Sequence, residues 1–343
     1  MGYSIQRIDP RTASDEEFHE MWEYYKAVRF ENLPDDPEYP YQREVLDWQS
    51  IRENQAIDRW LLRDDDNSIV ASAVAARDLD QNLDNAFARI HVREDLRRQG
   101  LGTILAEPVL EVFADDGRKR LATDAKEGAV GEIWAEKLGL KMAIQEKRSR
   151  LAISEIDRDQ MRSWIDRASQ RASDYDVHFY RTPLPEDVIE KFCELQFQMN
   201  TAPLDDYEED DLVLTPQIWR DLEEKTDIAM TDINTFVAIH RSTGEFVGST
   251  SIETDRLWPE QAWQWETVVH PDHRNKGLGR WLKAAMIEEL AGMDVPIQRI
   301  DTYNAGSNAP MLGINIAMGF KPILISNTWQ GDMVKAQELL TTR

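Results

Sequence analysis

Cysteine is nearly absent: Cys193 is the one thiol among 343 residues. No internal disulfide can form, and such a chain is expected in a reducing compartment. Cys193 lies among Val188, Ile189, Phe192 and Leu195, apolar residues at helical spacing, which predicts a buried structural thiol rather than a nucleophile. Long apolar runs are missing as well. None approaches the ~18 residues needed to span a bilayer. Residues 1–7 carry no apolar core of a signal peptide, and Gly2 reads as an ordinary second residue rather than a myristoylation site. The expectation is a cytoplasmic chain with no membrane partner. Positive charge is scarce, with 40 Lys and Arg against 64 Asp and Glu and a net charge of −24. An acidic chain repels phosphate backbones, so nucleic acid is not an expected partner and an amine-bearing or cationic ligand is favoured. Six acids crowd residues 205–211. The ordinary reading is a solvated loop; the functional one is a lid that attracts a cationic acceptor.

What the chain does have is a repeat. The run Val269-His270-Pro271-Asp272-His273-Arg274-Asn275-Lys276-Gly277-Leu278-Gly279-Arg280 follows an apolar, strand-like stretch and leads into apolar residues at helical spacing. A glycine loop at a helix N-terminus offers backbone N–H groups and a partial positive charge to an anion. Arg274, Lys276 and Arg280 add full charges, and the predicted ligand is a pyrophosphate. Val92, Arg97, Gly100, Leu101, Gly102 and Leu105 recur 177 residues later as Val269, Arg274, Gly277, Leu278, Gly279 and Leu282. Arg98 and Gln99 fill the first loop where Asn275 and Lys276 fill the second. Further on, Leu138-Gly139-Leu140 recurs as Met318-Gly319-Phe320 at an offset of 180, so three residues are inserted in the second copy. The chain is a duplicated domain rather than a solenoid. Neither loop has the Lys-Ser/Thr ending of a P-loop or the third glycine of a dinucleotide fingerprint.

Between these landmarks the pattern predicts an α/β fold of the mixed-sheet (α+β) kind, each copy running β-α-α-β-β-β-α-β-α-β-β, with helices on both faces. Ser14 with Glu17 marks a capped first helix. Residues 154–172 form a polar helix charged on most faces, which reads as a linker. The expected organisation is a first domain over 1–154, a linker over 155–175 and a second domain over 176–343.

The element order and the Arg-x-x-Gly-x-Gly loop after the fourth strand resemble the Gcn5-related N-acetyltransferase family. The segment 301–320, an asparagine-led helix closing on Gly319-Phe320, resembles that family's other acetyl-CoA motif. The whole chain resembles the two-domain members common in actinobacteria, the mycothiol-synthase-like group; Met199-Asn200-Thr201-Ala202-Pro203 adds to this likeness, and nothing identifies the mycothiol acceptor. The resemblance implies acetyl-CoA as co-substrate, its pyrophosphate on residues 274–280. Thr267, Val268 and Val269 would pair with the pantetheine, and one of their N–H groups would polarise the thioester. Asn308 would bind the cofactor or cap its helix, two compatible roles. In the first copy the cofactor loop is Val92, Arg97, Arg98, Gln99, Gly100, Leu101 and Gly102.

Acetyl transfer to an amine needs a route for one proton. Glu266, three residues before Val269, and Asp301, at the end of the next strand, are the candidate bases, each equally an ordinary ion-pair partner. His270 and His273 flank the loop as solvated residues or anion contacts. The family's general-acid tyrosine is replaced by Asn315, and Tyr303 lies nearby on another element. In the first copy Arg89, Gly128 and Ala135 stand for Glu266, Asn308 and Asn315. The second domain is therefore expected to catalyse and the first at most to hold CoA. The expected function is acetylation of a small, cationic amine, by a monomer or homodimer. A CoA-binding sensor and a protein N-acetyltransferase are the competing readings.

Overall fold

A computed structural model describes residues 2–341. Two compact units emerge. The first comprises Met1–Glu146, Leu204–Asp210 and Leu324–Arg343; the second comprises Lys147–Pro203 and Asp211–Ile323. Through the first repeat run β1 (Ser4–Ile8), α1 (Asp15–Asn32), α2 (Tyr41–Gln49), β2 (Gln55–Arg63), β3 (Ile69–Asp78), β4 (Asn85–Val92), α3 (Leu101–Asp115), β5 (Arg120–Lys126), α4 (Val130–Lys137) and β6 (Lys141–Ala152). The second repeat supplies α5 (Arg158–Arg171), β7 (Tyr175–Arg181), α6 (Glu186–Gln196), α7 (Pro216–Ile228), β8 (Thr231–His240), β9 (Phe246–Asp255), β10 (Gln261–Val269), α8 (Leu278–Gly292), β11 (Arg299–Ala305), α9 (Ala309–Met318), β12 (Lys321–Asp332) and α10 (Met333–Thr341). Each repeat ends in one twelve-residue strand, where the pattern predicted two.

In the first unit β1 to β5 lie in sequence order, antiparallel except for the parallel β4–β5 pair. The next strand is β12, antiparallel to β5 from Ser326 opposite Lys126 to Asp332 opposite Arg120. Trp329, Met333, Ala336 and Leu340 enter the same core as Leu105, Val109 and Phe113 of α3. The opposite face carries Phe18, Met21 and Trp48 beneath α1 and α2. α1 starts at the predicted capping box, with Ser14 and Glu17 bonded reciprocally. In the second unit β7 to β11 repeat the arrangement, and the stretch of β6 from Lys147 onward lies next to β11. The compact units thus differ from the expected contiguous spans 1–154 and 176–343. Each sheet is completed by the last strand of the other repeat, because the pairing partner of β5 is β12 rather than β6.

Two expectations are revised by packing. The helix read as a linker is a core element: α5 is capped by Asp157, and Met161, Trp164, Ile165 and Ala168 join the cluster under α8. The acidic run is not a free lid. Leu204–Asp210 belongs to the first unit, where Glu208 pairs with Arg120 at 2.9 Å, its N–H donates to Gln330 Oε1 and its carbonyl accepts from Asn85. Lys283, on α8 among Leu282, Met286 and Ile287, is only 1 % exposed. Its ammonium donates to Gln264 Oε1 at 2.9 Å and lies 5.6 Å from the Phe320 ring centroid. Cys193 is buried on α6 among Val188, Ile189 and Phe192, as its setting predicted, and burial pushes its thiol up to about 11. No helix among the described residues is long and apolar enough to cross a membrane.

Two outcomes follow from this packing. Deleting residues 324–343 leaves the β5 edge bare and removes four side chains from the first core; the truncated protein is expected to lose the cooperative thermal unfolding of that unit, read by circular dichroism and hydrogen exchange of β5. Burial also lowers Lys283 to about 7. Between that value and the ordinary lysine pKa the unfolded chain binds the extra proton, so stability rises with pH across the window. One such group contributes a slope of up to about 1.4 kcal/mol per pH unit. Denaturant unfolding from pH 7 to 9 should show this rise in the wild type and a flatter profile in Lys283→Met.

Candidate active site

β9 and β10 pair in one register from Ala262 opposite Thr254 to Gln264 opposite Ile252, then in another from Thr267 opposite Thr250 to Val269 opposite Gly248. Between these points Trp265 and Glu266 of β10 face Ser251 alone on β9, a one-residue bulge. On its other side β10 pairs with β11 only from Gln261 opposite Arg299 to Trp263 opposite Asp301. Beyond that the two parallel strands leave the ladder, and the β11-facing edge of Thr267, Val268 and Val269 is available to another extended group. β4 and β5 likewise pair only from Asn85 opposite Arg120 to Phe87 opposite Ala122. The β3–β4 register, however, is regular from Ala71–Val92 to Ala76–Phe87. Both units open their central strands; only the second has a bulge at the opening.

Glu266 sits in that bulge. Its Oε1 accepts from Ser251 Oγ at 2.7 Å, and Ser251 in turn meets Thr235 Oγ1 at 3.0 Å. The residue keeps some solvent-reachable surface. The protein around its carboxyl is nonetheless dense enough that burial pushes the pKa up to about 7, against the lowering effect of the Ser251 bond. A carboxyl near 7 that can still be reached is matched to taking a proton at neutral pH. Gln264 braces the bulge: its Nε2 donates to Ser251 O at 2.8 Å and to Thr250 Oγ1 at 3.1 Å, while its Oε1 accepts from Lys283. Thr250 and Thr267 join their hydroxyls across the bulge at 2.7 Å.

Asp301 is differently placed. It is fully buried and receives Arg148 and Arg150 of β6 through bonds of 2.6 to 2.8 Å. Two guanidiniums bond the carboxylate and occupy its oxygens. The arrangement makes it an anchor for β6 beside β11 rather than an accessible base. Arg148 also lies 4.8 Å from the Trp263 ring centroid, and Trp263 stacks on Tyr303 with centroids 6.2 Å apart.

The glycine loop takes the same shape twice. Gly277 has φ +90° and Gly100 φ +86°. Two residues earlier Asn275 and Arg98 are also left-handed, at +64° and +65°. A Cβ on either glycine would meet nothing within 4 Å, so the backbone angle rather than space requires glycine. Each glycine is the N-cap of its helix and brings no side-chain cap. The first bond of α8 runs from Trp281 N to Gly277 O, which leaves the N–H groups of Leu278, Gly279 and Arg280 outside the helical ladder. The loop cations are mostly engaged within the protein. Arg274 Nε donates to Val269 O at 3.0 Å and its Nη2 to Thr201 Oγ1 at 2.7 Å; Arg97 Nε donates likewise to Val92 O at 2.9 Å. Lys276 donates to Tyr175 Oη at 2.7 Å, and Arg280 lies over Trp164 at 5.1 Å. The arginine of the motif therefore ties the loop back to its strand, and what the loop has to offer an anion is chiefly backbone N–H.

Asn308 caps α9, its Oδ1 accepting from Met311 N at 3.3 Å. Asn315 is 2 % exposed. Its Nδ2 donates to Asn304 Oδ1 at 2.7 Å, and its own Oδ1 has no partner among the described residues. The first unit carries none of this. Arg89 is exposed and paired with Asp124 at 2.8 Å, Gly128 has φ +76°, and Ala135 is packed in the core. Ser251, Gln264, Lys283, Arg148 and Arg150 were not singled out from the sequence. Lys283 alone left a signal there, as a lysine on the apolar stripe of Met286, Ile287 and Leu290.

The sequence profile of the Acetyltransferase (GNAT) family matches residues 18–133 and again 195–311. A tandem GNAT protein from the clavulanic acid biosynthesis pathway superposes with a TM-score of 0.74 at 19 % identity, over 97 % of this chain and 99 % of that one. A GCN5-related N-acetyltransferase from Sphaerobacter thermophilus gives 0.69 at 12 % identity, over 96 % of each chain. The GCN5-related glucosamine N-acetyltransferase region of a fungal multi-domain GH3 β-N-acetylglucosaminidase gives 0.64 at 13 %, over 96 % of this chain and 38 % of that one. A search of curated proteins finds no match. The structural likenesses carry the fold, and the profile carries the family on both repeats: the chain belongs to the acetyltransferase (GNAT) family, as a tandem member with two such domains.

Proposed function

We propose that the second unit transfers an acetyl group from acetyl-CoA to the amine of a small, cationic acceptor, with Glu266 as the general base. The observation that carries this reading is the placement of Glu266. It is a reachable carboxyl with a pKa of about 7, held in a bulge at the mouth of the β10–β11 opening, and its counterpart in the first unit is an ion-paired arginine.

The residues present fit acetyl-CoA. The uncapped N-terminus of α8, with left-handed Gly277, suits a pyrophosphate, and the free edge of Thr267, Val268 and Val269 suits the amide-bearing pantetheine arm. When bound, the co-substrate supplies an activated acyl group as a thioester. The chain's part is to fix that group beside the acceptor, to aim a backbone N–H of β10 at the carbonyl, and to receive the amine's proton on Glu266. Asp301 is assigned to anchoring β6 and not to proton transfer. Asn315 offers no acidic proton where other family members carry a tyrosine, so no side chain at that position protonates the departing thiolate. The acidic composition supports a cationic acceptor; no residue points to the mycothiol acceptor. For the first unit, the retained loop of Val92, Arg97, Arg98, Gln99, Gly100, Leu101 and Gly102 without a base favours CoA binding without chemistry.

Thiol release from acetyl-CoA with a panel of amines tests the assignment. The Glu266-dependent limb of kcat/KM should rise with pH and level off above about 7, because the ionised carboxylate is the active form. Glu266→Gln should lower kcat by about 100-fold or more and remove that limb; a limb that survives the substitution places the base elsewhere.

A paired substitution separates the two units. Valine at a left-handed position is strained by roughly 1–2 kcal/mol. Gly277→Val is expected to raise KM for acetyl-CoA by about tenfold or more, while Gly100→Val leaves turnover in place. Loss of turnover in Gly100→Val alone would assign catalysis to the first unit.

A further inference from the structure

Beside the phosphate loop of the second unit lies a group of side chains that acetyl transfer does not use. His270 and His273 bracket a single 3₁₀ turn, Pro271–His273. Its period of three brings residues three apart onto one side, and the two rings stand 5.7 Å apart, edge to face. Glu245 arrives from the β8–β9 hairpin, where His240 N donates to its carbonyl at 2.9 Å. The loop is pinned beside that hairpin by the bond from His270 N to Val247 O at 2.9 Å. The Glu245 carboxylate approaches His273 Nε2 at 3.8 Å. One ligand atom from each of Glu245, His270 and His273 lies within 4.8 Å of the other two. A tetrahedral zinc ion with bonds of about 2.0–2.1 Å needs its ligands roughly 3.3 Å apart, and exposed Glu245 has the freedom to close the difference.

We propose that His270, His273 and Glu245 bind one divalent transition-metal ion of the zinc class, clipping the β8–β9 hairpin to the loop that leads into α8. Two imidazoles and a carboxylate form a zinc-type donor set with a fourth position open to water. The second shell is in place: His273 Nδ1 lies 2.8 Å from Tyr175 Oη, which fixes the ring and directs Nε2 at Glu245. Lys276 donates to the same hydroxyl. His270 Nδ1 accepts a long bond of 3.3 Å from Asp272 N. His240, its ring 5.5 Å from that of His273, borders the group. The loop fold itself does not require these residues. At the 177-residue offset the first unit has Arg93 and Leu96 for the two histidines, with Arg93 paired to Asp95, and its loop has the same backbone angles.

The test uses the untagged, full-length protein after treatment with a chelator. Zn²⁺ titrated by calorimetry should bind at one equivalent and raise the thermal midpoint, and Co²⁺ should give the visible absorption of a low-coordinate N/O site. Loss of even an outer-shell partner typically costs about 10–100-fold in metal affinity, and loss of a direct ligand should cost at least as much. Glu245→Gln, on an exposed side chain that leaves the fold undisturbed, should therefore weaken Zn²⁺ binding by about tenfold or more, His273→Ala should weaken it further, and His19→Ala in the first unit should change nothing. No Zn²⁺ equivalent in the wild type, or equal binding by wild type and Glu245→Gln, overturns the proposal.

Discussion

One inserted residue in β10 governs what the second unit can do. A regular antiparallel strand would alternate its side chains strictly between the two faces of the sheet. The bulge breaks that alternation between Gln264 and Thr267, so Gln264 engages α8 through Lys283 while Glu266 meets Ser251, which in turn meets Thr235. The strand opening alone does not accomplish this. β4 and β5 part company after three paired residues as β10 and β11 do, yet the straight β3–β4 register leaves an exposed arginine where the carboxyl would be. Opening makes room for an extended ligand; the bulge puts a titrating group at its edge.

Holding a bulge open requires its polar groups to be satisfied, and the means chosen here are costly. Lys283 is buried with its charge facing one amide oxygen and an aromatic ring, and burial penalises the ammonium strongly enough to bring its pKa near neutrality. Asp301 is buried as well, but with two arginines. Such groups rarely stabilise a fold relative to well-packed apolar residues, and removing one partner of a buried pair is worse than never having had it. Their placement around the opening accounts for their presence better than stability does: Lys283 holds Gln264, which braces the bulge, and Asp301 fixes β6 against β11 just where the β10–β11 ladder ends.

Much of this was legible in the sequence, and the rest was hidden for identifiable reasons. The glycine loops, their 177-residue spacing, the capping box at Ser14 and the asparagine cap at Asn308 all depend on local chemistry that residue types reveal. The bulge does not. It shows only as a change of offset, since Asn85 and Gln261, equivalent by their pairing, are 176 apart while Val92 and Val269 are 177 apart, and nothing in Trp265-Glu266 marks an insertion. The exchange of last strands was invisible because β6 and β12 occupy equivalent places in the repeat, and a repeat does not specify which copy a strand pairs with. The charge on α5 masks its spacing: Met161, Trp164, Ile165 and Ala168 fall at i, i+3, i+4 and i+7, an apolar stripe that packs under α8. A cation in a glycine loop invites an anion, but the Arg274 guanidinium equally suits the carbonyl of Val269 and the hydroxyl of Thr201.

The two loops bear on how the repeats diverged. Left-handed backbone at a non-glycine residue costs of order 1–3 kcal/mol and persists where the surroundings impose it. Arg98 and Asn275 both adopt it, each two residues before a left-handed glycine, and each loop is closed by an arginine on the preceding strand's carbonyl. The first unit thus keeps a strained backbone while lacking the bulge, the carboxyl, the capping asparagine and the buried amide that accompany it in the second. A loop that only joined a strand to a helix could have relaxed to an unstrained turn once the side chains around it changed. Its retention of the strained form supports the proposal that the first unit keeps an anion-binding role, separate from the proton transfer proposed for Glu266 in the bulge.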